Sequence, residues 1–264
     1  MDTQTQHSLE TALKASQIWW QDMGVDTPAI ASTVKRTVAA KSARTKPARV
    51  PVTQKEEPKA PDAQQRATRA EALAKSAPTL SALKIAIEGF DAGVLSDHAK
   101  NIVFSRANPK ADIMIIGESP GQIEDEQGKP FVGAAGQLLD KMFAAIGQTE
   151  DSLYITNVCN WRPPANRNPT EEELAFCKPF ITRHIELAAP KLVVIVGGIA
   201  LQALTGKTGI MKTRGQWQEL DIAGTKIPAM PLYHPAFLLR RPELKKYAWR
   251  DLLTLKESIS QLSP

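Results

Sequence analysis

Gly117-Glu118-Ser119-Pro120-Gly121-Gln122-Ile123-Glu124-Asp125-Glu126-Gln127-Gly128-Lys129-Pro130-Phe131-Val132-Gly133-Ala134-Ala135-Gly136 follows directly on an apolar run at residues 112–116 and leads into Gln137-Leu138-Leu139-Asp140-Lys141-Met142-Phe143, which has helical spacing. A buried strand that empties into a glycine-rich loop and then a helix is the unit from which open parallel sheets are wound. The loop at such a strand exit is where these folds place their ligands. Phe131, carried on so polar a loop, offers a flat face to a ring.

Outward from this stretch the same unit recurs. Short apolar runs at residues 112–116, 153–158, 192–196 and 227–233 read as strands. Helical patterns at 135–146, 170–187, 199–204 and 242–262 alternate with them, after two more at 67–76 and 79–90. This alternation predicts an α/β protein: a three-layer α/β/α sandwich around a central, mostly parallel, four-stranded sheet. Right-handed crossovers then bring all the strand C-terminal ends to one edge.

The chain has 264 residues, 42% of them apolar, enough for one large domain with an appendage. Three segments follow from composition. Residues 1–30 hold a short helical pattern in which Leu9, Leu13, Ile18, Trp19 and Trp20 share one side. Residues 31–66 turn to Ala, Lys, Arg, Thr and Pro, with Lys35, Arg36, Lys41, Arg44, Lys46, Arg49, Lys55 and Lys59 against Glu56 and Glu57. Such a segment buries too little apolar surface to offset its ordering entropy and reads as a disordered basic linker: a solvated spacer, or an arm drawn to phosphates by counterion release. Residues 67–264 carry the alternating helices and strands and read as the globular domain. The formal net charge of +5 mildly favours a polyanionic partner. No apolar run reaches membrane-spanning length, and the N-terminus lacks the order of a secretory signal, so a reducing interior compartment is expected. Cys159 and Cys177 then read as free thiols.

The strand exits carry the chemistry. They are Gly117-Glu118-Ser119-Pro120-Gly121, then Asn157 with Trp161-Arg162-Pro163-Pro164-Ala165-Asn166-Arg167, then Gly197-Gly198, and His234-Pro235-Ala236-Phe237-Leu238-Leu239-Arg240. An amide that both donates and accepts, an imidazole, a loop phenylalanine and several arginines meet at one edge, which is a set suited to reading a nucleobase. Gly206-Lys207-Thr208 is not a phosphate loop, because Leu201 stands where the first glycine belongs. His7, His98 and His184 have no motif around them and read as surface or packing residues.

These motifs, in this order and spacing over residues 82–262, resemble the uracil-DNA glycosylase superfamily, in particular its family four. The resemblance implies a DNA repair hydrolase that cleaves the N-glycosidic bond of uracil, flipped out of single- or double-stranded DNA, and leaves an abasic site. It is expected to be a monomer of the bacterial cytoplasm, without membrane association. Phe131 matches the stacking aromatic, Asn157 the uracil-reading amide and His234 the donor to the departing base. Asn166 matches an asparagine implicated in catalysis. Gly117, Glu118, Ser119 and Gly121 belong to the first motif, and either Glu118 or Asp125 would stabilise a cationic sugar or orient water. Phe237 and Leu238 would wedge into the vacated stack, and Arg240, Arg167 and Arg214 would hold phosphates.

The sequence departs from the family in two places. Ser119 stands where family-one enzymes carry a water-positioning aspartate, which leaves two alternatives open: a non-catalytic or slow-turnover binder of uracil-containing or abasic DNA, and a glycosylase for another deaminated base. Family-four enzymes also hold a four-iron cluster through four cysteines. Here Trp161 takes the third position and Cys177 matches only the fourth, so no metal or other cofactor is expected.

Overall fold

The computed structural model describes residues 63–262. The expected N-terminal helical segment, and the basic linker up to residue 62, lie outside the described residues. Helices α1 (Ala63–Ser76), α2 (Leu80–Glu88) and α3 (Val94–His98) precede the sheet. Residues 63–66, assigned by composition to the linker, form the first turn of α1. Ala63, Gln64, Gln65 and Arg66 are all good helix formers, and Arg66 reaches Asp91 at 3.7 Å.

The sheet has six strands in the order β1-β3-β2-β4-β6-β5. The four expected strands are its parallel centre: β2 (Ile113–Gly117), β3 (Leu153–Asn157), β4 (Leu192–Val196) and β6 (Thr225–Leu232). Two antiparallel edges, β1 (Arg106–Ala107) and β5 (Gln218–Ile222), extend the four-stranded sheet read from sequence. Neither edge is a continuous apolar run, which is why neither stood out. β1 has two residues, and β5 alternates exposed and buried positions before a tight turn at Ala223 (φ 50°) and Gly224 (φ 85°).

The central strands are buried on both faces, as their unbroken Ile, Leu and Val runs require. Met114 and Ile116 face one core, with Leu83, Phe180 and Leu201 from α2, α6 (Glu171–Ala188) and α7 (Gly198–Thr205). Ile113 and Ile115 face the other, with Phe143 from α5 (Ala134–Ala144) and Leu252 and Leu255 from α10 (Lys245–Leu262). That is the three-layer sandwich. Register pairs Gly117 with Asn157, Ile116 with Ile195, and Val196 with Leu232, so the four parallel strands end level with one another. Among the described residues no helix is long and apolar enough to cross a membrane.

His184 is a packing residue, as its lack of a motif implied. It stacks on Phe104 at 4.3 Å, and its Nε2 lies 2.7 Å from Tyr154 Oη. Burial pushes its pKa down to about 3. An unfolded histidine titrates near ~6.5, so below that pH the unfolded chain binds a proton that folded His184 refuses. Stability therefore falls on acidification, from about 6.5 down to the folded value. The melting temperature is expected to drop between pH 7.5 and pH 5, and His184→Gln to shrink that drop. An unchanged drop in the variant would remove His184 as its source.

Candidate active site

Above the level strand ends lies a cavity of about 760 Å³, within the ~300–1,000 Å³ usual for ligand pockets. Each strand exit supplies part of its wall: Glu118, Ser119 and Gly121 after β2, Asn157 at the end of β3, Gly197 and Gly198 after β4, and Tyr233 and His234 after β6.

Gly117 is the position on which the recognition groups converge. A Cβ there would overlap both Asn157 Oδ1 and Phe131 Cζ, so the amide and the ring edge meet over a residue that must have no side chain. Asn157 is 2% exposed. Its side-chain amide makes no hydrogen bond to any described residue and is left facing the cavity.

Phe131 is held in a left-handed backbone conformation (φ 53°) that a bulky residue adopts only under constraint. The constraint comes from two sides. Glu124 Oε1 accepts the N–H groups of Val132 (3.1 Å) and Gly133 (2.8 Å), and Gly136 lies so close that a Cβ there would overlap the Phe131 carbonyl. The Phe131 ring lies 26° from parallel with His234, with 5.7 Å between centroids.

His234 caps helix α9 (Pro235–Arg240): its Nδ1 accepts the Ala236 N–H at 3.1 Å. Nε2 therefore carries the proton and is the donor. Burial, assisted by the Arg240 charge, lowers the imidazole pKa to about 4, so the donor is neutral at physiological pH. Glu118 lies at the N-terminus of α7, where its Oε1 accepts the Ile199 N–H at 3.2 Å. Burial raises its pKa above the ordinary carboxylate value, and the N–H groups of Ile199 and Gly198 and the Arg240 charge counter that rise. Asn166 also lines the cavity. It follows Ala165 in a pair of left-handed residues (φ 54° and 53°), and its Oδ1 accepts from Arg162 Nε at 2.7 Å.

Four of the expected site residues are elsewhere. Asp125 sits beside Glu124 on helix α4 (Gln122–Gln127), but one residue of helix turns a side chain by about 100°. Glu124 reaches the cavity, whereas Asp125 is buried on another face, accepting the N–H groups of Lys100 (2.8 Å) and Asn101 (3.0 Å). Arg167 is a bidentate partner of Glu173 (2.7 and 2.6 Å), within the cap of α6. Arg214 binds Asp251 through Nε (2.6 Å) and Nη2, donates to the Tyr247 carbonyl, and lies over the rings of Tyr233 and Tyr247. Leu238 is 1% exposed. The segment after His234 is helix rather than loop, and its period turns Leu238 into the core while Phe237 and Arg240 face the cavity. Arg240 forms no ion pair with any described residue.

Glu124, Tyr233, Gln202 and Met211 were not foreseen among the cavity residues. Glu124 had a signal in the sequence, a carboxylate in the first turn of a helix beside the phenylalanine loop. Met211 had none, because only the fold brings its turn over the strand ends.

Taken together, the sheet, the level exits and an amide beside a ring and a neutral imidazole give an α/β fold with a site suited to a flat polar heterocycle. The model of the uracil DNA glycosylase superfamily matches residues 104–253, and the chain belongs to that superfamily. It is 41% identical to a type-4 uracil-DNA glycosylase of Saccharolobus solfataricus over 167 residues, 61% of this chain and 77% of that one. It is 38% identical to the type-4 enzyme of Archaeoglobus fulgidus, over 62% of this chain and 85% of that one. A type-5 uracil-DNA glycosylase of Thermus thermophilus is 31% identical over 121 residues, 40% of this chain and 55% of that one.

The residues at the place of the family-four cluster do not fit one. Phe90 packs against Trp161, Phe176 and Phe180 with centroids 6.0, 5.5 and 5.1 Å away, so rings fill the space. Cys159 Sγ donates to the Trp161 carbonyl at 3.2 Å and hydrogen-bonds Cys177, whose thiol burial pushes far up in pKa. Two thiols joined to each other by a hydrogen bond are not a ligand set for four irons.

Proposed function

We propose that the chain hydrolyses the N-glycosidic bond of uracil in DNA, on a nucleotide turned out of the strand, and leaves an abasic site. The observation that carries this is the Asn157 amide, without a hydrogen-bond partner among the described residues, beside Phe131 and the His234 donor. A uracil edge presents a carbonyl next to an N–H, which one carboxamide matches with its NH2 and its oxygen. The Phe131 ring covers the base face. As the bond from C1′ to N1 breaks, its electron pair moves into the ring and charge grows on the base oxygen. Nε2–H of His234 donates there, and because it is neutral it needs no counter-charge in the ground state. Water bonds to C1′ and its proton passes through solvent to the departing uracil anion, while the Glu118 carboxylate balances the positive sugar. Asn166 reaches the same space. Phe237 enters the vacated stack and Arg240, in no ion pair with a described residue, holds a phosphate. We read the protein as a monomer acting in the cytoplasm.

The test is incubation of the full chain with single- and double-stranded oligonucleotides carrying one uracil, followed by alkaline treatment. Strand breaks at the uracil are expected. Tight binding with unbroken strands would instead make the protein a reader of uracil, and breaks only at another deaminated base would change its substrate.

The basic residues 31–62 are proposed to add non-specific affinity. Deleting residues 1–62 should flatten the slope of log binding constant against log salt, because fewer counterions are released. An unchanged slope would make the segment a spacer.

A further inference from the structure

The turn after α7 holds a methionine at the lip of the cavity. Helix α8 (Ile210–Thr213) begins with Ile210, which packs against both hydrophobic cores. Its Cγ2 lies 3.8 Å from where a Cβ on Gly198 would stand, close to the helix end that Glu118 caps. Beyond the other end of α8, Arg214 is locked by Asp251 and two tyrosine rings. Met211 lies between these anchors. Its side chain is nevertheless 55% exposed and lines the cavity that Phe237 and Arg240 line from α9.

The backbone at Met211 is thus fixed from both sides while the side chain remains uncovered. A long thioether placed this way adds nothing to the core, and it suits a flat apolar partner of variable shape. Nucleobases in a stack are such partners, and methionine is among the side chains that proteins insert between base steps.

We propose that Met211 is a second wedge residue, which with Phe237 enters the stack beside the extruded nucleotide from a separate element of the fold. Arg214 is then a positioning residue that holds the methionine turn. This inference rests on the glycosylase reading. A wedge matters most where a paired stack has to be opened, because extrusion from a duplex costs a few kcal/mol that a single strand does not demand.

The experiment compares the full-length chain with Met211→Ala and Met211→Leu in single turnover, on one uracil oligonucleotide used both alone and paired. For Met211→Ala the ratio of duplex to single-strand rate is expected to fall roughly tenfold, the equivalent of one lost apolar insertion, with Met211→Leu close to the unaltered ratio. A 2-aminopurine next to the uracil should brighten less on binding the alanine variant. An unaltered ratio in Met211→Ala overturns the proposal, as does an equal loss of ratio in both variants. Because each ratio is taken within one protein sample, partial misfolding cancels. If the unaltered chain cuts both substrates and Met211→Ala keeps its ratio, only the wedge is lost. If the unaltered chain cuts neither, the glycosylase reading fails and takes the wedge with it.

Discussion

His234→Ala is expected to release uracil about 10²–10³-fold more slowly than the unaltered chain in single turnover, while affinity for uracil-containing DNA should fall far less. The asymmetry follows from the role proposed for the donor. On that reading Nε2–H meets an oxygen that is nearly neutral in the bound nucleotide and anionic as the bond breaks, so its loss would fall on the barrier. The imidazole also caps α9, and losing a cap costs about 1 kcal/mol. His234→Asn separates the two effects, since an asparagine oxygen can still take the Ala236 N–H. If His234→Asn restores the melting temperature but not the rate, the donor is what was lost. The pH profile gives a second check. With its pKa held at about 4 by burial and the Arg240 charge, His234 contributes no inflection near neutrality and becomes charged only in more acidic solution. A rate that tracked a histidine ionising near 6.5, and lost that dependence in the variant, would contradict the buried neutral donor.

Asn157→Asp is expected to lower uracil release by roughly 10³-fold, from two causes that act together. The carboxylate has no N–H to give the base carbonyl, and its charge opposes the negative charge that develops on the leaving ring. Over Gly117 the side chain has a fixed place, so the substituted group meets the same edge. Asn157→Ala isolates a different consequence. The amide makes no hydrogen bond to a described residue, so its removal strands no partner among them, and stability should change by less than about 1 kcal/mol while activity should collapse. A large loss of stability without loss of rate would mean that Asn157 serves the fold.

The strands of the parallel centre were legible because residues buried on both faces have to be apolar without interruption, as in Leu192-Val193-Val194-Ile195-Val196. The cavity residues at the exits were legible for a related reason: once the strands are parallel, topology alone brings Glu118, Asn157 and His234 to one edge. What failed to be read depends on partners distant in sequence. Arg167 and Arg214 look like free cations until Glu173 and Asp251 are brought to them. Asp125 and Glu124 are neighbours in the chain and diverge only when the loop coils into α4. Leu238 reads as a wedge on a loop and as core on a helix, and five residues after a proline do not decide between the two. The edge strands carry half-polar patterns that a turn would show equally well.

The imidazole of His234 holds two offices through its two nitrogens. One fastens the first turn of the helix that presents Phe237 and Arg240, and the other is left to the cavity, where the reading proposed above has it donate to the base. On that reading, grip on the strand and polarisation of the leaving group would be geared to a single ring, and a shift of the helix on meeting DNA would reach the donor without an intermediary. Retuning either task by substitution at this position must disturb the other, and variants with altered base preference are to be sought at residues 157 and 131 instead.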